Sequence, residues 1–396
     1  MRAIPHEIQK RYVATTRTNY LTGYSTSMDH REARDVILAY DFGAHAQGRA
    51  EIERKLKRDS VRGPVFIICW TFVGGTRKLS ENITLARLKA FVGPYRFLYD
   101  ILFIVAAPLA VRRARVAPTH IIIADFPLVC GAWAVKAICG GKIVLRLSGL
   151  PREIARIRGT RSYVYHAFHE LLTVHLVDTF VAINEATQKY LEDAGVPRER
   201  ITVQTPDTIT PDLAMIARVE KGAFRKSLAI APHAPLILAV GRLEREKGLD
   251  ELLRLFAQSN VAGELVIAGD GILRAQLEKD ARSLGIVARV RFVGHLGREQ
   301  LWSCLADADV FVHLAQSEAL GLAVWEAMYM RVPVIGRPVG GVLESIGDHG
   351  ERGYAWNTSD GPETFRALVE RCVARTGDTD ARVERARTYV QERLLV

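Results

Sequence analysis

Val310-Phe311-Val312-His313-Leu314-Ala315-Gln316-Ser317-Glu318-Ala319-Leu320-Gly321-Leu322-Ala323-Val324-Trp325-Glu326-Ala327-Met328 is the stretch on which the fold of this chain turns. Its first five residues read as a strand buried on both faces, and Leu322 to Met330 has the pattern of a helix packed on nearly every side. A buried strand that turns into a buried helix is the repeating unit of a parallel α/β sheet. Two glutamates interrupt it, Glu326 eight positions after Glu318. Glu326 has Leu322, Ala323, Tyr329 and Met330 as its helical neighbours, so its carboxylate lies on an apolar stripe. Burying it is costly without a hydrogen-bond partner, and no Lys or Arg stands at the right spacing; a polyol ligand would serve. Glu318 lies in the strand-to-helix turn, where open α/β sheets bind ligands beyond the carboxyl ends of their strands.

The same alternation extends in both directions. Strands are predicted at Val36–Tyr40, Val65–Trp70, His120–Asp125, Lys142–Leu147 and Thr179–Ile183, with helices between them at about Arg49–Lys57, Arg96–Arg113 and Leu128–Ile138. Thr205 to Pro211 carries two prolines and little periodicity, and reads as a connector. A second series follows at Leu236–Val240, Glu264–Ala268, Val290–Val293, Val310–Leu314 and Val332–Ile335, and the chain is helical from about Pro362 onward. Alternation of this kind predicts two parallel, doubly wound sheets. The predicted division is an N-terminal extension at 1–34, a first domain at 35–205 and a second at 206–396. Whether the last helix packs back on the first domain stays open.

A chain of 396 residues is long enough for two domains that each bury a core. At 48% apolar and 25% charged, the composition is that of a soluble globular protein. The five cysteines form no close pair, which argues against a disulfide framework or a zinc site and for a reducing cytoplasm. The polar, basic start gives no expectation of a signal peptide, and the apolar run Ile101–Val111 is too short for a membrane span. Charge is unevenly placed. Residues 1–150 hold 23 Lys/Arg against 11 Asp/Glu, whereas residues 151–396 hold 31 against 33. The basic excess therefore belongs to the first part, and predicts an acidic partner there, either an anionic membrane surface or an anionic substrate. Nucleic acid is not expected, because the aromatics fall in apolar runs instead of alternating with basic residues.

Leu236 to Val240 reads as another buried strand, followed by Gly241-Arg242-Leu243-Glu244-Arg245-Glu246-Lys247-Gly248 and then a helix. Arg242 and Lys247, beyond the carboxyl end of a parallel strand and beside a helix N-terminus, suit a diphosphate. Alternatively, the charges of this loop pair with one another in solvent. Ala268-Gly269-Asp270-Gly271 ends a further strand in glycines, which permit close backbone approach to a ligand or simply make a tight turn.

Together these segments resemble the retaining, GT-B-fold glycosyltransferases of family 4, the glycogen-synthase-like group. The resemblance runs from about Leu236 to Trp356. It rests on the ordered set Gly-Arg-Leu…Glu-Lys-Gly, Ala268-Gly269-Asp270-Gly271, Phe292-Val293-Gly294, the two glutamates, Pro333-Val334-Ile335 and Gly340-Gly341…Glu344. It implies two Rossmann-like domains facing a cleft, the second holding a sugar nucleotide and the first an acceptor. It further implies Arg242 and Lys247 on the donor diphosphate, Glu318 on the transferred sugar and Glu326 on the ribose hydroxyls. Leu320, Gly321 and Leu322 would lie against the phosphates or sugar, with Gly271, Gly294 and His295 beside the nucleotide. The implied donor is a UDP- or GDP-sugar, with no other cofactor and no metal. The implied acceptor is a saccharide or a lipid-linked molecule of polysaccharide or envelope synthesis. The protein is expected in the cytoplasm, and its basic first part suggests docking on the inner face of the membrane. Departures are clear. Ala319-Leu320-Gly321 stands where relatives often have Gly-Phe-Gly, Gly48 alone answers to a glycine pair, and Ser148 stands where many have a histidine.

Other features admit plainer readings. His166, His169 and His175 have spacing compatible with a metal, but read as packing histidines. Asp125 either faces the cleft or caps the next helix, and the cap is the plainer reading. Asp307-Ala308-Asp309 has the letters of a metal-binding pair but precedes a buried strand. The basic-flanked segment Lys89–Arg115 is either a surface that dips into a bilayer or an ordinary crossover helix. Two other classes compete: a non-catalytic GT-B-like binding or scaffolding subunit, and a nicotinamide-dependent Rossmann oxidoreductase. The second would require a G-x-G-x-x-G turn, which Asp41–Gly48 does not supply.

Overall fold

The computed structural model describes the strands at 35–41, 65–71, 75–80 and 83–89, together with residues 96–123, 126–147, 149–204, 216 and 218–394. The extension at 1–34, the helix expected at 49–57, Gly48, Asp125, Ser148 and the connector at 205–211 lie outside the described residues. The chain forms two compact units divided between residues 205 and 206.

The first unit is built on strands β1 (Asp35–Asp41), β2 (Val65–Thr71), β3 (Gly75–Ser80), β4 (Ile83–Lys89), β5 (His120–Ile123), β6 (Lys142–Leu147), β7 (Thr179–Ala182) and β8 (Ile201–Val203). Their order in the sheet is β3-β4-β2-β1-β5-β6-β7-β8. Neighbours run parallel except β3 with β4, which form an antiparallel edge pair. Neither β3 nor β4 is among the predicted strands, because GTRKLS and ITLARLK lack a continuous apolar run. The connections from β4 to β5, β5 to β6 and β6 to β7 all step the same way along the sheet. Right-handed crossovers then place their helices on one face. These helices are α1 (Arg96–Arg113), α2 (Val129–Cys139), α3 (Pro151–Arg158) and α4 (Thr160–Leu176), and α2 packs on both α1 and α4. α1 and α2 approach closely where Phe103 lies over Gly131, whose Cβ would stand 2.6 Å from the ring. α5 (Glu185–Asp193) starts at Asn184, whose side chain accepts from the Thr187 N–H at 3.0 Å, a regular N-cap.

The second unit holds β9 (Leu236–Val240), β10 (Glu264–Ala268), β11 (Val290–Gly294), β12 (Val310–His313), β13 (Val334–Gly336) and β14 (Tyr354–Ala355), ordered β11-β10-β9-β12-β13-β14 and parallel throughout. Leu236–Ala239 and Val310–His313 are wholly buried, as their unbroken apolar runs predict. Around them lie α6 (Ala223–Ser227), α7 (Leu249–Gln258), α8 (Arg274–Ser283), α9 (Arg298–Asp307), α10 (Leu322–Tyr329), α11 (Gly340–Ile346), α12 (Gly361–Ala374) and α13 (Gly377–Leu394). The C-terminal helix predicted as one is thus two, broken where Arg375 takes the left-handed conformation at φ 50°. α13 packs on α10 and α11 of its own unit, with Tyr389 edge-on to Trp325 at 6.1 Å.

Asp307 and Asp309 have structural work. Asp307 accepts from the backbone N–H of Gly222 and, at 3.0 Å, of Arg225 at the start of α6. The Arg225 guanidinium pairs with Asp309, which also accepts from Leu236 N at 2.8 Å. Both carboxylates are thereby occupied at the root of β12. His169 is buried, with its Nδ1 2.9 Å from the Tyr165 carbonyl, and His175 makes the same local contact at 2.8 Å with Leu171.

Candidate functional site

The second sheet reverses its direction of growth at β9: β10 and β11 extend one way, β12 and β13 the other. In an open α/β sheet such a reversal leaves a crevice beyond the carboxyl ends of the two central strands. The loops that leave those ends are Gly241–Gly248 and Leu314–Gly321. The first carries Arg242 and Lys247, the second Glu318, all singled out in the sequence.

The first loop is fixed by backbone bonds, Gly241 N to Ala268 O at 3.0 Å and Leu243 N to Asp270 O at 2.9 Å. Its end, Gly248, has φ 65° and passes so close to β12 that a Cβ would lie 2.2 Å from the Leu314 carbonyl oxygen. Only glycine allows that approach. It carries Lys247 to the tip of β12, where the Nζ donates to Glu318 Oε2 at 2.7 Å. His313 Nε2 lies 3.0 Å from the same oxygen. Since an ionised carboxylate only accepts, that ring nitrogen is the donor. Burial alone would raise the Glu318 carboxyl, but the His313 hydrogen bond and the Lys247 charge outweigh it and hold it at about 2. Glu318 is therefore a half-buried carboxylate, ionised at neutral pH, with a cation on one side and an imidazole on the other. Sequence reasoning missed His313 as its partner. The available signal was a lone polar residue in the run Val310–Leu314.

Arg242, named with Lys247, behaves differently. Its side chain is 61% exposed and pairs with Glu244 at 2.5 Å and with buried Glu246 at 3.6 Å. Arg242 thus pairs within its own loop, whereas Lys247 reaches across to the loop beyond β12.

The second loop is held from behind by α11, with Gly341 N donating to the Glu318 carbonyl at 3.0 Å. Gly321, at φ 76°, ends the loop and starts α10. The first N–H groups of a helix lack intrahelical acceptors and attract negative charge. Leu322, in that first turn, is exposed, while Leu320 is buried and packs the loop.

Glu326 requires a correction. Its stripe carries no cation, but Arg298 reaches it from the N-terminus of α9, with Nη1 2.5 Å from Oε1. The carboxylate expected to lack a protein cation has one after all, because the partner comes from a separate helix 28 positions earlier. Burial raises the Glu326 carboxyl above its ordinary value, with Arg298 opposing.

Gly271 follows β10, Gly294 ends β11 and His295 follows it, at the same end of the sheet. The Gly271 N–H donates to Asp270 Oδ1 at 2.8 Å, Gly294 has φ 74°, and His295 is exposed. In the first sheet the reversal lies between β1 and β5. The turns beyond those strands, including Gly48, fall outside the described residues, as does Ser148.

Residues 220–388 match the family described as Glycosyl transferases group 1, a span of less than half the chain. An uncharacterised glycosyltransferase of Methanocaldococcus jannaschii is 32% identical over 176 residues, 44% of this chain and 45% of that protein. The match thus spans about half the length of that relative. The 2-deoxystreptamine glucosyltransferase of Streptomyces kanamyceticus is 25% identical over 320 residues, 75% of this chain and 81% of its own. Among solved structures, Anabaena HepE in complex with UDP and glucose superposes with a TM-score of 0.67 at 16% identity, covering 91% of this chain and 95% of that one. At that identity the likeness concerns the fold, which is GT-B.

Proposed function

We propose that this protein is a glycosyltransferase that takes a sugar from a nucleotide-sugar donor bound by the second unit. The observation that carries the reading is the half-buried Lys247–Glu318–His313 group at the reversal of the second sheet, next to the start of α10. The family match over 220–388 and the relatives' names agree with it.

Cleaving a glycosyl–phosphate bond places positive charge on the sugar and negative charge on the departing diphosphate. Lys247, Arg242 and the α10 N-terminus are the groups assigned to that diphosphate, and they stabilise charge that grows in the transition state. Lys247 exchanges part of its contact with Glu318 for phosphate oxygen. Glu318, ionised at any working pH, serves as an electrostatic and positioning group for the sugar. It is too weak a base to take a proton. The reading is a retaining transfer in which no side chain attacks the sugar and the leaving phosphate oxygen receives the acceptor proton. Glu326 receives the ribose hydroxyls, and Gly271, Gly294 and His295 border the nucleotide. In this scheme the fixed cations take the place of a divalent metal, and the donor is a UDP- or GDP-sugar. The acceptor is assigned to the first unit, with Gly48 and Ser148 as its contacts. A saccharide or lipid-linked acceptor of envelope or polysaccharide synthesis suits the basic excess of residues 1–150.

Incubation of the purified protein with a panel of UDP- and GDP-sugars tests the proposal. Slow release of free sugar from one donor, abolished by Lys247→Ala, is the expected result. A protein that binds a donor but never turns it over would be the non-catalytic subunit instead.

A further inference from the structure

Nine of the thirteen large hydrophobic side chains that stand exposed among the described residues lie on α1, α2 and α4. Scattered singly, such residues are ordinary; gathered on neighbouring helices, they mark an interaction surface. On α1, Ile101, Leu102, Val105 and Leu109 are 50–62% exposed, while Phe103, Ala107 and Val111 face the core. Trp133 and Ile138 are half exposed on α2. On α4, Val164, Phe168 and Leu171 recur at one-turn spacing and are each more than half exposed. The three helices cover the same face of the first sheet, with α2 in the middle.

The next turn of α1 beyond Leu109 carries exposed Arg112 and Arg113, and exposed Arg115 follows. This basic end lies beside the end of α2: burial raises the Cys139 thiol, and the Arg112 charge acts against that. From 101 to 150 there are six Lys or Arg and a single acidic residue, Asp125. Apolar side chains bordered by arginines match a lipid surface whose phosphates are negative, with the side chains in the acyl boundary and the guanidiniums at headgroup level. A second copy would bring the same basic border, and like charges would oppose it. No helix among the described residues is long and apolar enough to cross a membrane, so the contact is one of lying on the surface.

We propose that α1, α2 and α4 form a docking face for an anionic lipid bilayer. The proposal goes beyond glycosyl transfer and does not rest on it.

Co-sedimentation of the full chain with vesicles of phosphatidylcholine, alone or mixed with phosphatidylglycerol, is the test. Pelleting should be at least about tenfold stronger with the anionic vesicles and should fall as salt screens the charges. Val105→Glu and Phe168→Glu, at exposed positions, should each abolish it without changing the thermal melt. Arg112→Ala with Arg113→Ala should weaken it and flatten its salt dependence. Brominated lipid should quench Trp133 in the unaltered face, a signal assigned by its loss in Trp133→Phe. Equal pelleting with both vesicles, pelleting with neither, or full binding by Val105→Glu would overturn the proposal. So would a dimer in solution that Val105→Glu dissociates, since the face would then belong to a second copy.

Discussion

Lys247→Met removes the cation from Glu318 and leaves the carboxylate with His313 alone. In the folded protein the Glu318 carboxyl sits at about 2. Against the ordinary glutamate value this is worth about 3 kcal/mol, at about 1.4 kcal/mol per tenfold change in proton affinity. Because the folded value is the lower one, that stabilisation is present above the ordinary glutamate range and is lost as pH falls towards about 2. Lys247 supplies one of the two charge-assisted hydrogen bonds, a share of about 1.5–3 kcal/mol. Differential scanning calorimetry at neutral pH should therefore show the variant melting roughly 3–12 °C lower, given about 2–4 °C per kcal/mol for a unit of this size. The difference should narrow as pH falls through the carboxylate range, where the variant's Glu318 takes up its proton first. Adding Glu318→Gln to Lys247→Met should recover much of the loss, since no uncompensated charge is then buried. An unchanged melt at neutral pH, or a difference that stays constant from neutral pH down to the carboxylate range, would refute the account of this pair.

Two further outcomes follow from neighbouring residues. Glu326→Gln replaces a buried carboxylate whose pKa burial raises, so it should leave the melt unchanged or higher, yet weaken donor binding by about tenfold or more; Glu244→Ala should not weaken it. Titration calorimetry with the best donor decides this, and undiminished affinity in Glu326→Gln would remove the ribose assignment. Gly341→Ala puts a Cβ 2.4 Å from the Ala319 carbonyl oxygen and 2.6 Å from Leu320 Cα, which must push the Glu318–Gly321 loop forward. Donor turnover should fall at least about tenfold, as displacements near 1 Å commonly cause, while overall helix content by circular dichroism is kept.

The parts of the fold that were legible in the sequence are those where burial dictates composition. Leu236–Val240, Glu264–Ala268 and Arg96–Arg113 occur with the predicted bounds. What escaped was short or at an edge: the polar β3–β4 pair, three-residue β8 and two-residue β14. For the site, the sequence marked Glu326 as a costly burial and placed Lys247 and Glu318 beyond the carboxyl ends of their strands, but did not show what partners they meet. Arg298 reaches Glu326 from another helix, and helical spacing holds no trace of such a contact. His313 was in plain view, five residues before Glu318, yet the alternation of a buried strand does not say which polar group its tip will meet.

The clamp at Arg225 has a mechanical consequence. β12 is held at its root through Asp307 and Asp309, and at its tip it bears His313 and the loop of Glu318. Gly222 and Arg225, at the start of α6, are both tied through their backbone N–H groups to Asp307. The clamp then acts like the strain relief on a cable. Tension applied at α6 is taken up at the anchored end of the strand, and the ion pair at the other end keeps its spacing.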